Sequence, residues 1–469
     1  MTTSIKNHRA HALDALRGYA IITMILSATE AFHILPSWMY HAQVPPPEHI
    51  FTPNIYGITW VDLIFPFFLF SMGAAIPLSL GRLHEKGISI YHLAWKCILR
   101  WLKLTFFAIF ILHVFPFNLG YEQEWLRYVV SIAAFGLLCL IYMDNPLHLP
   151  PKSRMTIKLS AYILATLLLI FQPYKNGTIR LFDCDIILLI LANVALTGSL
   201  IYLFTIHRPL VRLSILPFII AIFMASHTKE SWTAWLMGAS PFPWLLKLSY
   251  QEYLLVILPG TIAGEWISEW LKNDSEKEPR EYYHYAWLVS TLTLALIICN
   301  VMLLFCRELI ANLMITIILI GILGYLLKYT GKDFSYWRKL WRGGSYLLML
   351  GLCLEAYEGG IRKDDVTMSY LFVTCGLAFF SLLFLSIIND HYHIRWISLP
   401  LENIGKNPMI AYVSSSMVVI PLLVLTHIYP LIESMNYHPL LGFLKGVILT
   451  SLSMVLTSWF THRKYFWKT

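Results

Sequence analysis

Long apolar runs separated by short polar interruptions dominate this chain, and the runs predict its fold. Stretches such as ITIILIGILGYLL at 315–327 are continuous, without the period-two alternation of a barrel strand. A spanning helix needs about 20 apolar residues, and in lipid only helices or closed barrels satisfy the backbone. The expected fold is therefore all-α and polytopic, with about 12–14 transmembrane helices. Candidate spans lie near 17–35, 58–80, 97–117, 124–143, 157–173, 185–205, 210–226, 251–271, 286–306, 308–328, 344–359, 367–388, 408–427 and 440–460. The runs at 210–226 and 344–359 are short, and the second ends in two glutamates, so either could be re-entrant.

Basic residues flank these runs on alternate sides. Arg82, Lys86, Lys96, Arg100, Arg338, Lys339, Arg342, Arg463 and Lys464 fall in one set of connectors, whereas 36–57, 118–123 and 428–439 contain no Lys or Arg. The positive-inside rule then places both termini in the cytoplasm and the 36–57 loop outside. The charged connector at 272–285 divides an N-terminal bundle, 1–271, from a C-terminal one, 286–469. Composition agrees with a membrane protein: 57% of the 469 residues are hydrophobic, only 13% are charged, and mean hydropathy is +0.62. The net charge of +8 is distributed along helix flanks, so it does not imply a nucleic-acid surface. The polar first 16 residues and the lack of a small-residue cleavage site predict no removable signal peptide. The seven cysteines include Cys139, Cys299, Cys353 and Cys375 inside apolar runs without CxxC spacing, so neither a disulfide framework nor a metal site is expected.

Four polar constellations could carry chemistry. The principal one joins the loop HAQVPPPEHIFTPNIYG, 41–57, to the next apolar run. Asp62 sits one turn into that run, where a carboxylate is costly and by default marks a functional site. His41 and His49 precede it, and an imidazole can exchange protons or carry an acyl group near neutral pH. Pro45, Pro46 and Pro47 are expected to hold the segment extended. Glu30, at the outer end of the first span, is near enough in sequence to share the same cavity, although a water-exposed helix end is its simpler reading. Asp14 and Arg17 in LDALRG form either a local ion pair or, through the guanidinium, a phosphate contact. Glu355 and Glu358, three apart on one helix face, could bind an amine or sugar hydroxyl, or could pair with Arg362 and Lys363. Lys406 and Asn407, before Pro408, are either a helix start with an Asn cap or a second phosphate contact.

LDALRG at 13–18, WMYHA at 38–42, GITWVDLIFPFFLFSMG at 57–73 and IGKNPMIAYV at 404–413 together resemble the transmembrane acetyltransferase family related to heparan-alpha-glucosaminide N-acetyltransferase, in its bacterial uncharacterised branch. The resemblance is loose over most of the chain and best over 12–80. It implies acetyl transfer from cytoplasmic acetyl-CoA to an amino sugar or glycan across the membrane. His41 is then the expected catalytic residue, with His49 second, Asp62 its partner, and Arg17, Lys406 and Asn407 toward acetyl-CoA. Glu30, Glu355 and Glu358 are left for the acceptor. The chain departs from that pattern in the residues around PPPEH and in having Ala28 near a family Asn. The expected surroundings are membrane lipid and a glycan acceptor, with no nucleic acid and with a homodimer left open. A transporter of an amino sugar, using the same carboxylates, is the rival reading.

Overall fold

The computed structural model describes residues 10–144, 150–177, 183–226, 228, 230–240, 242, 244–274, 283–328, 330–331 and 334–468. Most of the 272–285 connector lies outside the described residues. Among those residues the only strand-like pairings are two isolated bridges, Leu119 with Tyr174 and Met143 with Trp467, so the protein is an all-α polytopic membrane protein.

Thirteen of the described helices are long and apolar enough to cross a membrane. In chain order, together with two further helices, they are α1 (His11–Thr29), α2 (Trp60–Glu85), α3 (Ile90–Val114), α4 (Glu124–Tyr142), α5 (Pro151–Phe171), α6 (Ile186–Phe204), α7 (Pro209–Ser226), α8 (Leu248–Lys272), α9 (Ala286–Phe305), α10 (Leu309–Lys328), α11 (Ser335–Glu358), α12 (Met368–His391), α13 (Arg395–Gly405), α14 (Pro408–Leu425) and α15 (Pro439–His462). The 344–359 run is not short. Its helix, α11, begins at Ser335 and has 24 residues, about 36 Å at 1.5 Å per residue. Arg338, Lys339 and Arg342 in its first half had hidden that length from a reading based on apolar continuity. The 210–226 run consists of two helical pieces, Pro209–Leu213 and Ile215–Ser226, joined at Ser214 and together 18 residues long. Several helices start well before their apolar runs, α1 at His11 and α3 at Ile90, because backbone bonding continues into the polar interface.

The centre of the bundle is α12, 94% of whose most apolar stretch is buried, against 17% for α5, α7 and α10. A helix apolar all round and buried all round is a core helix; the other three present apolar sides outward. Around α12 stand α1, α2, α8, α9 and α11. The central helix comes from the 286–469 half and packs on helices of both halves, α1, α2 and α8 from the first and α9 and α11 from its own. Two close approaches fix this arrangement. A Cβ on Gly264 would lie 2.2 Å from the Ala74 carbonyl oxygen and one on Gly260 2.6 Å from that of Phe70, so α2 and α8 touch backbone to backbone. Small residues four apart are the usual means of such contact in membranes. Similarly, a Cβ on Gly405 would lie 1.9 Å from the Asp14 carbonyl oxygen, which seats α13 on α1.

One end of the bundle gathers the start of α1 (His11 against Glu402), the end of α15 (Thr461 on the Asn403 carbonyl) and Asp144 with Arg154 and Lys468. The opposite end carries the 30–59 and 359–367 loops. The first and last helices thus begin and finish at the same end.

Candidate functional site

Thr59 is the residue before α2, and Asp62 occupies the third position of that helix. The Asp62 Oδ2 accepts from the Thr59 backbone N at 2.9 Å, satisfying an otherwise orphaned donor. The same oxygen lies 3.3 Å from the Thr59 hydroxyl and 3.4 Å from the Ala42 N. The helix start thus explains part of why a carboxylate stands there. Its other oxygen, Oδ1, does something else: it sits 2.7 Å from His41 Nδ1 and 3.9 Å from Lys363 Nζ. The Asp62 side chain is completely buried.

His41 is held from both sides. Its Nε2 lies 2.8 Å from Asp364 Oδ2, a residue of the loop between α11 and α12. Gln43 sets that juxtaposition. Its buried amide accepts from the Asp364 N at 2.9 Å and donates to the Asp364 carbonyl at 3.2 Å and the Pro53 carbonyl at 2.7 Å. Gly57, at φ +126°, adds a bond from its N to the Ile361 carbonyl at 2.8 Å. Below, the Tyr370 hydroxyl of α12 donates to the Asp62 carbonyl at 2.7 Å.

The loop is folded, not extended. Val44 N bonds the His41 carbonyl and His49 N the Pro45 carbonyl, so the proline run lies within successive turns. The expected strut fails because these turn bonds and Gln43 draw the chain back onto the 359–367 loop. That closure is what brings Asp364 to His41.

The electrostatics follow from this geometry. Burial opposes charge on His41, but the bonds to Asp364 and Asp62 outweigh it and raise the imidazole above its ordinary value. The His41 bond, acting against partial burial, holds the Asp364 carboxyl below its usual range. The arrangement, an imidazole between two carboxylates with Lys363 beside them, favours the charged form of the ring. Glu252 and Tyr253, at the start of α8, border the same region, within reach of the charges of Asp365 and Asp364 respectively.

The remaining expected residues separate. His49 is not beside Asp62; its ring packs at 4.6–4.9 Å from His33, Tyr40 and Phe32, and its Nδ1 faces the Pro47 carbonyl at 3.1 Å. Glu30 is not a water-exposed helix end. It is buried against Gly446 of α15, with neither carboxylate oxygen hydrogen-bonded among the described residues, and burial pushes it up to about 8. Glu355 and Glu358 do not form a shared ligand face. Glu355 is buried and pairs with Arg307 at 2.6 Å, whereas Glu358 accepts from Met368 N and Ser369 N and so caps α12. The expected partners Arg362 and Lys363 point elsewhere, Arg362 over the Tyr56 ring and Lys363 toward Asp62.

At the other end, Arg17 lies 3.9 Å from Asp14 and donates to the Gly405 and Ser71 carbonyls at 3.3 and 3.4 Å. Lys406 reaches Glu402 at 3.4 Å, and Glu402 also meets His11 at 2.8 Å. Asn407 precedes Pro408 as expected, but its side chain does not cap α14. Its amide donates to the Tyr465 carbonyl and accepts from Trp467 N, anchoring the C-terminal segment instead of a ligand. Ser71 is nine residues below Asp62 on α2, so Arg17 and His41 stand roughly 14 Å apart along the helix axis. Between those levels, Ala20, Met24, Ile64, Phe68 and Met409 help to line an apolar cavity of about 40 Å³.

Residues 9–267 match the family described as "Domain of unknown function (DUF5009)". The chain belongs to this DUF5009 family. No curated protein matches it. The DUF5009 match takes in His41 and Asp62 but ends before Lys363 and Asp364, so part of the site comes from outside the matched region. Asp364 went unnamed in the sequence because RKDD in a loop has no spacing that ties it to a histidine more than 300 residues away. Gln43 was readable only as a loop polar residue.

Proposed function

We propose that this DUF5009 member is a membrane-embedded acyltransferase, moving acetyl from cytoplasmic acetyl-CoA to an amino sugar or cell-envelope glycan on the opposite face of a bacterial inner membrane. The observation that carries this reading is His41 clasped between Asp62 and Asp364. A buried carboxylate on Nδ1 fixes the ring's orientation and favours the imidazolium, and it leaves Nε2 as the nitrogen that works. The resemblance of LDALRG, WMYHA and GITWVDLIFPFFLFSMG to the acetyltransferase family points to the same histidine.

Two courses fit this geometry. In one, neutral Nε2 attacks the thioester carbonyl, the C–S bond breaks and the thiol departs with a proton. The acceptor nitrogen then attacks the acyl-imidazole, a C–N bond forms, and Nε2 is released as the amine proton leaves. In the other, Nε2 removes the amine proton as the amine nitrogen attacks the thioester carbonyl, the C–N bond forms, the C–S bond breaks, and the imidazolium gives that proton to the departing thiolate. Both require Asp364 to release Nε2 and the imidazole to lose its proton first. Arg17, at the end that the basic flanks assign to the cytoplasm, is the residue this reading gives to the donor's phosphates, in exchange for its contacts with Asp14 and the Gly405 and Ser71 carbonyls. Lys406 contributes less, since Glu402 already neutralises it.

The test is reconstituted protein given labelled acetyl-CoA at the cytoplasmic face and glucosamine at the other. Transfer in the wild type and its loss in His41→Ala are expected. Uptake of intact sugar without acetylation would instead support the transporter. That second reading is favoured by Glu30, a buried carboxylate with no hydrogen-bond partner among the described residues and pushed up by burial to about 8, as a proton-coupling site would be.

A further inference from the structure

A larger cavity, about 550 Å³, opens among the ends of α3, α5, α6 and the segment leading into α8. This is within the usual size range for small-molecule sites. Its lining includes the aromatic rings of Tyr174 and Trp244 and the polar side chains of Asn118, Asn176, Asp183 and Lys247. Among the described residues the side chains of Asn176, Asp183 and Lys247 make no hydrogen bond or ion pair, and the Asn118 side chain uses only its amide nitrogen, on the Leu112 carbonyl at 2.7 Å. Their donors and acceptors therefore remain available at a site also furnished with flat apolar faces.

That combination selects a ligand class. Among the described residues the charged lining is Lys247 and Asp183, and a cation beside an anion does not suit a polyphosphate, nor does a polar mouth suit a lipid tail. A sugar offers vicinal hydroxyls for forked amide and carboxylate contacts, and C–H faces for aromatic rings. The cavity is joined to the reacting region by a short turn. Tyr250 lines it, Gln251 accepts from Thr197 at 2.6 Å, and Glu252 and Tyr253 follow beside Asp365 and Asp364. Three residues of 3₁₀ helix advance only about 6 Å.

We propose that this cavity is a saccharide subsite, holding sugar rings of the acceptor adjoining the one presented to His41. The link to an acceptor rests on the acyl-transfer reading; binding itself does not. The probes are glucosamine and its β-1,4-linked trimer, titrated calorimetrically into the full-length protein in detergent. The trimer is expected to bind more tightly than the monomer, and Asp183→Ala/Lys247→Ala to weaken trimer binding at least about tenfold through lost hydrogen bonds to a partly enclosed ligand. Both side chains are exposed and unpartnered, so the double variant keeps the fold. Equal affinity for trimer and monomer, absence of saturable trimer binding, or unchanged affinity in the double variant overturns the proposal. Trimer binding that survives in His41→Ala while the wild type transfers no acetyl leaves the subsite standing and removes the acyl-transfer reading. Acetyl transfer without trimer binding does the reverse.

Discussion

Asp62→Asn tests the site most directly, because it alters charge while nearly preserving shape. The two backbone donors at Oδ2, Thr59 N and Ala42 N, can remain on the amide oxygen, and the Thr59 hydroxyl stays on the Tyr40 carbonyl at 2.7 Å. The lost interaction is at Oδ1, where an NH₂ group would face His41 Nδ1 at 2.7 Å and Lys363 at 3.9 Å. Asp62 is fully buried, so the contact is not discounted for solvent, and its removal should cost about 1.5–3 kcal/mol. Asp62→Ala also removes the helix-start bond and leaves the histidine facing a void, for a total of about 3–5 kcal/mol. Unfolding midpoints in detergent would separate the two variants, Ala falling further than Asn. Initial rates of acetyl transfer in proteoliposomes should fall by about 10²–10⁴ in both, since each loses the group that orients the base. If Asp62 only starts a helix, Asp62→Asn would be close to wild type in both assays. A transfer rate within about threefold of wild type would therefore refute the proposed role.

Asp364→Asn should shift the acid limb of the pH–rate profile to lower pH. The carboxylate raises His41, and without it burial is opposed by Asp62 alone, so the neutral, working imidazole is reached sooner as pH rises. The stabilisation from this pair is greatest between the ordinary carboxylate range and pH 6.5; it fades as pH falls through the lowered Asp364 value or rises through the raised His41 value, a window that equilibrium unfolding against pH would trace. Glu30→Gln should gain stability relative to wild type from pH 4.5 up to about 8, because the folded protein holds a proton there that the unfolded chain releases; parallel pH–stability curves would contradict this. Gly405→Ala forces a methyl group onto the Asp14 carbonyl, with no side chain able to yield, and should cost at least about 1–3 kcal/mol in thermal unfolding. Glu358→Ala should lose roughly 1–2 kcal/mol through the α12 cap, with transfer per folded molecule unchanged.

Much of the site was legible because burying a carboxylate in an apolar run is costly enough to stand out. Asp62 was visible on that ground, and His41 from its place in WMYHA. The polar residues that resisted sequence reading are those whose partners lie far away in the chain. Glu355 and Glu358 share a helix face in sequence, yet one is claimed by Arg307 and the other by the backbone of α12. Asn407 occupies the expected position before Pro408, but the tertiary contact with Tyr465 and Trp467 takes its side chain.

The sequence alone determined that this is a polytopic helical membrane protein, because apolar length and backbone satisfaction in lipid are properties of contiguous residues. It also marked the ends of the helices that carry charge, and two histidines and four carboxylates, His41, His49, Glu30, Asp62, Glu355 and Glu358, as candidates for chemistry. Tertiary structure decided which groups meet. Close glycine contacts placed α2 against α8 and α13 against α1. The Gln43 amide then locked the first loop onto the loop before α12 and set Asp364 on His41, a pairing across 323 positions that no local pattern encodes.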